Sequence, residues 1–254
     1  SMAKSTEQKI RKGGSLLETA KTIIYAVLIA LIIRSFAFEP FNIPSGSMIP
    51  NLLIGDYLFV SKYSYGYSRH SLPMSPPIFS GRVFEEKPER GDVAVFKLPK
   101  DNETDYIKRV IGLPGDTVQL INGRLLINGK LVPRKRIENF IDLDLGRSWP
   151  QYIETLPNGS QHKIIEQLGD FSSLDNTPVY KVPSGHYFMM GDNRDNSADS
   201  RVQGGADRVG YVPLDNFVGR AEILFFSTDG SARLWEIWEW IPAMRLQRLL
   251  KVIE

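Results

Sequence analysis

The sequence predicts a mainly β protein that carries one amino-terminal transmembrane helix. Residues 22–33 form a nearly pure apolar run. After residue 41, short segments rich in β-branched and aromatic residues alternate with Gly, Asn and Asp, a pattern typical of strands and turns. Asn-Gly pairs at residues 122–123 and 128–129 are strong hairpin signals. We therefore expect an antiparallel β-sheet core that is interrupted by a smaller, inserted β-rich subdomain.

The composition argues against several functional classes. The 254-residue chain has a net charge of only +2, so no nucleic-acid partner is expected. The absence of cysteine rules out disulfides, thiolate metal sites and cysteine nucleophiles. The three histidines, His70, His162 and His186, have no recognisable metal-binding spacing. We expect neither a metal nor a cofactor.

The amino-terminal region has the features of a membrane anchor. Residues 1–14 are basic, and we assign residues 15–36 to a single span. The apolar run at 22–33 is shorter than the roughly 20 residues that cross a bilayer, so flanking apolar residues must extend it. Because the basic residues precede the run, the positive-inside rule places the amino terminus in the cytoplasm.

Two alternatives to a span stay open. A basic segment, a short apolar segment and Ser35-Phe36-Ala37 as a small-x-small site also describe a cleavable secretory signal. A core helix of a soluble domain is the third interpretation. The span and the signal agree that the rest of the chain works beyond the membrane.

After the anchor, we expect a core formed by residues 37–115 and 184–254, with a β-rich subdomain inserted at 116–183. Residues 134–180 are polar and carry no informative motif. The tail combines Trp235, Trp238 and Trp240 with arginines, which suits either an interfacial membrane contact or packing on the β core. The strand-like segments are 57–60, 93–96, 118–121, 124–127, 187–190 and 221–226.

The loop from Pro44 to Pro50 is the most unusual stretch of the sequence. The two prolines stiffen it and favour extended backbone before each of them. Gly46 permits a tight turn between Ser45 and Ser47. The loop therefore holds two hydroxyls at a set separation. An ordinary surface turn is the alternative, since Pro, Ser and Gly are all common turn residues.

Lys108 is a candidate general base. It lies within the strand-like segment Tyr106 to Val110, among apolar neighbours. Burial disfavours an ammonium group and lowers its pKa from about 10.4 toward neutrality. A neutral amine can take the proton of a serine hydroxyl, which would make a Ser-Lys dyad. A solvated surface lysine is the alternative.

Four segments follow the apolar run in this order: Ser45-Gly46-Ser47-Met48-Ile49-Pro50, Gly91-Asp92-Val93, Tyr106 to Asp116, and Gly191 to Arg201. Together they resemble the sequence boxes of bacterial type I signal peptidases. The resemblance covers the anchor, the core and most of the strands but not residues 134–180.

The resemblance implies a serine endopeptidase that removes signal peptides from secreted pre-proteins after Ala-x-Ala. Ser47 matches the nucleophile and Lys108 the general base. The Ser45 hydroxyl and the Ser47 N–H match the oxyanion hole, and Ser197 matches a serine that orients the lysine. The residues that match a supporting network near the site are Arg109, Asp192, Asn193, Asp199 and Arg201. The residues that match the shallow apolar substrate pockets are Phe41, Ile43, Met48, Leu52, Val95, Tyr106 and Ile107.

The resemblance also implies a location and partners. The enzyme would be a single-pass protein of the bacterial inner membrane, with its catalytic domain on the periplasmic or outer face. Its partners would be signal peptides, the lipid bilayer and, nearby, the secretion translocon. Asn51 departs from the family pattern, in which threonine is frequent.

Two other functions fit parts of the pattern. A self-cleaving repressor uses a similar dyad but needs a DNA-binding helix pair in place of the apolar run. A catalytically silent, membrane-tethered β domain that binds extended peptides would keep the pockets without the chemistry.

Overall fold

The computed structural model describes residues 2–72, 74–77, 80–83, 85–231 and 237–254, with the side chains of residues 2–14 and 237 left aside. Helix α1 runs from Met2 to Phe36. Its segment Ser15–Phe36 has 22 residues and a mean hydropathy of 2.1, and none of its most apolar stretch is buried in the protein. A helix without protein contacts along its apolar length cannot be a core helix, so that interpretation is wrong.

Short strands are the main regular elements of the remaining described chain, which also contains several 3-10 turns and one further short α-helix, α2, at Trp240–Ala243. The strands are β1 Phe38–Asn42, β2 Asp56–Ser61, β3 Val93–Lys97, β4 Asp105–Gly112, β5 Thr117–Ile121, β6 Arg124–Ile127, β7 Lys130–Leu131, β8 Arg134–Asp142, β9 Arg147–Thr155, β10 Gln161–Ile165, β11 Tyr180–Lys181, β12 His186–Met190, β13 Val212–Pro213, β14 Phe217–Ser227 and β15 Lys251–Val252.

The main sheet has the strand order β1-β2-β14-β3-β4-β12-β13, and β15 pairs with β14. Its strand pairs are antiparallel. One apolar cluster lies where β2, β3 and β14 meet the loop after β1, and it includes Ile43, Met48 and Val95. A second cluster joins β3 and β4 to β12 and β14. The mainly β, antiparallel fold class is therefore confirmed.

The segment between β4 and β12 forms two smaller antiparallel sheets. One has the order β11-β5-β6-β7 and contains both predicted Asn-Gly hairpins. The other has the order β10-β9-β8. Phe188 and Met190 of the main sheet pack against Val118 and Leu120 of the first small sheet. Apolar contact therefore fixes the insertion to the core.

The predicted strand segments all lie in strands, with ends that differ by a few residues. Strands β8, β9 and β10 were not predicted. In the tail, Arg233 and Trp235 lie outside the described residues, as do the basic side chains before residue 15. Trp238 and Ile241 are exposed. The carboxyl-terminal strand β15 instead packs on the core through Ile253, so the tail shows both an exposed aromatic part and a docked end.

Candidate active site

The loop after β1 places Ser47 beside the main sheet. Two hydrogen bonds anchor its backbone from the segment after β12: the Asn193 N–H donates to the Ser47 carbonyl at 3.0 Å, and the Asn193 side-chain amide donates to the Gly46 carbonyl at 3.0 Å. Met48, directly after the serine, is fully buried in the first apolar cluster. Ser47 is therefore held from both sides, which favours a fixed orientation of its hydroxyl.

Lys108 lies within hydrogen-bond distance of Ser47. Its Nζ donates to the Ser47 Oγ at 2.8 Å and to the Ile107 carbonyl at 3.0 Å. In β4, the exposed or half-buried residues Asp105 to Ile107 are followed by a buried half that begins at Lys108. Ser47 and Lys108 are 61 positions apart in the chain.

Burial lowers the pKa of the Lys108 amine. Only 4% of Lys108 is exposed. Loss of hydration lowers its pKa to about 8, against the opposing effect of the Asp199 and Asp192 carboxylates. A lysine with this pKa is partly neutral near physiological pH and can accept a proton from a hydroxyl.

Ser45 presents a second hydroxyl next to the first. The Ser45 Oγ lies 3.4 Å from the Ser47 Oγ, and Ser45 is exposed. The Ser47 N–H donates no hydrogen bond to any residue that the structure describes. Both groups are therefore available to donate to an oxygen placed beside Ser47 Oγ.

A buried ion pair between Arg109 and Asp192 lies beside the site. Arg109 binds Asp192 with two hydrogen bonds of 2.9 Å, and each side chain is 1% exposed. The Asn51 amide donates to Asp192 Oδ2 at 2.6 Å and to the Lys163 carbonyl at 2.7 Å. Arg109 lowers the pKa of Asp192, which burial alone would raise. Asparagine at this position thus ties the serine loop to the ion pair.

A second buried ion pair, between Arg201 and Asp199, lies near Lys108. Arg201 binds the Asp199 carboxylate through two nitrogens at 2.9 Å, and Asp199 Oδ2 accepts from the Gly191 N–H at 2.9 Å. A Cβ on Gly191 would lie 2.2 Å from the Ser197 Oγ and 2.6 Å from the Ser47 carbonyl. Only glycine fits between the two serines.

Ser197 is buried close to the dyad, and its hydroxyl contributes to lowering the pKa of Asp199. Within the part of the chain that the structure describes, no hydrogen bond joins Ser197 to Lys108. Its base-orienting role therefore stays a prediction.

Comparison with known proteins shows the family to which the chain belongs. The family model described as signal peptidase, peptidase S26, matches residues 16–226. Signal peptidase I of Rickettsia typhi is 43% identical over 243 residues, which cover 89% of this chain and 90% of the relative. The chain belongs to the signal peptidase I family.

Two further matches are of interest. Signal peptidase I of Rickettsia canadensis is 42% identical over 247 residues, with 91% of each chain covered. A crystal structure of a signal peptidase I from Enterococcus faecalis is 26% identical and covers 53% of this chain and 97% of that chain, with a TM-score of 0.31. Membership of this family makes the chain an enzyme, a serine peptidase of the signal peptidase I class.

The residues expected to line substrate pockets fall into two groups in this signal peptidase. Phe41 and Ile107 are partly exposed and pack on the first apolar cluster, and Tyr106 packs on the second. The ring of Tyr106 lies 5.1 Å from the Lys108 Nζ. The residues that are buried within the first cluster are Ile43, Met48, Leu52 and Val95. The exposed group is better placed to touch a peptide, whereas the buried group supports it; the assignment of pocket residues stays a prediction.

The insertion contributes contacts that sequence reasoning missed. Glu154 of β9 binds Arg194 at 2.9 and 2.5 Å, beside Asn193. His162 of β10 lies 3.2 Å from Glu154 and 4.0 Å from Asp192. Burial and the neighbouring Arg109 lower the pKa of His162, which favours the neutral ring. Glu154 and His162 lie outside the segments that resemble a family, and only the folded chain brings them to the site.

Proposed function

We propose that the chain is a membrane-anchored signal peptidase that cleaves secreted pre-proteins after Ala-x-Ala by means of a Ser47-Lys108 dyad. The observation that carries the proposal is the 2.8 Å hydrogen bond from the Lys108 Nζ to the Ser47 Oγ in a buried setting. A serine and a neutral amine at this distance are sufficient for nucleophilic catalysis without a histidine.

The first half of the reaction acylates the enzyme. Neutral Lys108 takes the Ser47 proton while the Ser47 Oγ attacks the scissile carbonyl carbon. The resulting oxyanion accepts hydrogen bonds from the Ser45 hydroxyl and the Ser47 N–H. The Lys108 ammonium then gives its proton to the leaving amine, and the amino-terminal fragment stays bound to Ser47 as an ester.

The second half releases that fragment. Lys108 is neutral again and takes a proton from a water molecule that attacks the ester carbonyl. The same two donors stabilise the second oxyanion. Loss of the Ser47 ester bond and return of the proton to Ser47 Oγ restore the enzyme. In this mechanism Ser197 orients the amine, and the ion pairs of Arg109 and Arg201 keep the surrounding loops in position.

The sheet offers an edge on which a peptide can bind as an extended strand. β4 pairs with β12 only from Arg109 to Gly112. Among the described residues, its half Asp105 to Lys108 has a strand partner on the β3 side alone. Main-chain hydrogen bonds to such an edge set the register of a peptide, and alternate side chains then enter pockets. Small residues at positions −1 and −3 suit shallow pockets near Phe41 and Ile107.

The anchor gives the proposed location. We assign Ser15–Phe36 to a single span of the bacterial inner membrane, with the catalytic core (37–115 and 184–254) and the insertion (116–183) on the outer face. There the enzyme would meet signal peptides in the bilayer as they leave the translocon. Cysteine accessibility of single-cysteine variants in sealed vesicles tests this topology, and outward exposure of residue 4 would refute it.

Cleavage assays test the proposal. Purified enzyme in detergent is given a pre-protein with Ala at −1 and −3 and matched substrates with Phe at either position. We expect one cut after the −1 residue of the Ala substrate and at least tenfold slower cleavage of both Phe substrates. Equal rates on all three substrates would contradict the specificity.

The silent peptide-binding domain makes a different prediction. It would bind the Ala substrate without cutting it, and Ser47→Ala would leave the binding affinity unchanged. In our proposal, Ser47→Ala retains binding and loses cleavage. No cleavage by the folded wild type in lipid would therefore support the binding domain instead.

A further inference from the structure

Three acidic side chains converge where the insertion meets the catalytic loops. They are Glu166, just after β10, Asp175 in the loop before β11, and Asp195 in the segment that follows β12. One oxygen of each lies within 4.8 Å of the others. Glu166 is 1% exposed and Asp175 is fully buried. Three carboxylates at this depth repel one another unless a proton or a cation lies between them.

In each carboxylate, one oxygen accepts a hydrogen bond from the protein, and the other accepts none from the residues that the structure describes. The latter oxygens are Glu166 Oε2, Asp175 Oδ1 and Asp195 Oδ1, all of them buried, and no residue that the structure describes donates to them. Buried oxygens without donors are rare in native proteins and call for a ligand. The contacts of the other oxygens are Glu166 Oε1 with Arg134 Nη1 at 3.4 Å, Asp175 Oδ2 with the Ser172 N–H at 2.5 Å, and Asp195 Oδ2 with the Leu168 N–H at 2.6 Å.

The arginines near this cluster are each bound to another carboxylate as well; Arg134 reaches Glu166 at 3.4 Å, but its closer partner is Asp170. Arg134 binds Asp170 through both oxygens at 2.9 and 2.7 Å. Arg194 is held by Glu154, and Arg201 by Asp199.

We propose that Glu166, Asp175 and Asp195 bind a divalent cation with a preference for oxygen ligands, namely Ca²⁺. Carboxylate oxygens are the ligands that Ca²⁺ takes at 2.3–2.6 Å, so two ligands on opposite sides of one ion lie about 4.6–5.2 Å apart. The three oxygens lie within 4.8 Å of one another, which is close enough for one ion to contact all three. Backbone carbonyls and water complete the coordination shell of such ions.

The ion would fasten the insertion to the loop that supports the nucleophile. The N–H of Ile165 donates to the Asp192 carbonyl at 3.0 Å, and the N–H of Arg194 donates to the Ile165 carbonyl at 3.1 Å. Glu166 and Asp195 lie directly beside these bonds. A cation here adds a third link next to Asn193, which in turn holds the Ser47 carbonyl. Its effect is on the folded structure, so it can be measured without any assay of cleavage.

Thermal unfolding and calorimetry of the full chain in detergent test the site. The protein is stripped with EDTA and titrated with CaCl₂ at pH 7.5, with NaCl at matched ionic strength as the reference. We expect a saturable heat of binding with one ion per chain. We also expect the Tm to rise by about 5–10 °C when Ca²⁺ is about 100 times its Kd.

Two variants assign the effect to these residues. Glu166→Gln and Asp195→Asn keep the shape of the side chains and remove one charge, and we expect both to lose the Ca²⁺-dependent rise in Tm. In EDTA they should unfold no earlier than wild type, because repulsion within the cluster is reduced. Glu138→Gln changes an exposed carboxylate of the same insertion and should keep the full rise.

Three outcomes would overturn the proposal. The first is a wild-type protein without a Ca²⁺-dependent heat or rise in Tm. The second is an equal rise in wild type and in folded Glu166→Gln, which would place the ion elsewhere. The third is a larger rise with MgCl₂ than with CaCl₂, which would reject calcium as the ion.

Discussion

Raising the pH from 7 to 9 perturbs the dyad at Lys108 most directly. With a pKa of about 8, the neutral fraction of Lys108 rises from about 9% at pH 7 to about 91% at pH 9. The kcat/KM for an Ala-x-Ala substrate should therefore rise about tenfold over this range and level off above pH 9. An unshifted lysine would give a rise of about 100-fold with no plateau before pH 10.

The assay measures kcat/KM in detergent at intervals of half a pH unit, because this parameter reports the pKa of the free enzyme. Thermal unfolding at each pH serves as the control for a folded protein. A flat profile from pH 6 to 9 would refute a lysine base. A tenfold rise per pH unit that continues to pH 10 would refute the role of burial in lowering the pKa.

Three further predictions follow from the site. Ser45→Ala should lower kcat about 100- to 1000-fold with little change in KM, because it removes an oxyanion donor; steady-state kinetics that show the loss in KM instead would contradict this role. Lys108→Met should stabilise the fold by about 3 kcal/mol at pH 7, since the folded pKa of about 8 lies below that of the unfolded chain. This gain should shrink as the pH rises from 8 to 10.5, where the unfolded lysine also loses its proton, and a gain that does not depend on pH in denaturant titrations would argue against it. Arg109→Met should cost about 3–5 kcal/mol because it leaves the Asp192 carboxylate buried and unpaired; a loss below 1 kcal/mol in the same titrations would count against the ion pair as a support.

The sequence predicts much of the main sheet and of the sheet that contains β5 and β6, because their strands carry simple local signals. β5 and β6 flank an Asn-Gly turn, and β3 begins with four apolar residues, Val93 to Phe96, after Gly91-Asp92. Ser47 and Lys108 stand out for a different reason. The motifs around them resemble a family, and their contact across 61 residues cannot be derived from spacing alone.

Other features have no local signal. β8 is exposed or half-buried along its whole length, so its sequence lacks the alternation that marks a strand with one buried face. Asn51 and Asp192 are 141 residues apart, and Glu154 and Arg194 are 40 apart. The Asn51–Asp192 contact forms when two loops of the core meet, and the Glu154–Arg194 contact forms when the insertion packs on the core. Both are set by tertiary structure and not by neighbouring residues.

The dyad is tested most directly by removing and then restoring the amine at position 108. Because the chain has no cysteine, Lys108→Cys carries its sole thiol. Alkylation of the unfolded variant with 2-bromoethylamine, followed by refolding, rebuilds a lysine analogue at this position. We predict that Lys108→Cys does not cleave an Ala-x-Ala pre-protein and that the aminoethylated protein does. Cleavage by unmodified Lys108→Cys at the wild-type rate would contradict the assignment of Lys108 as the base.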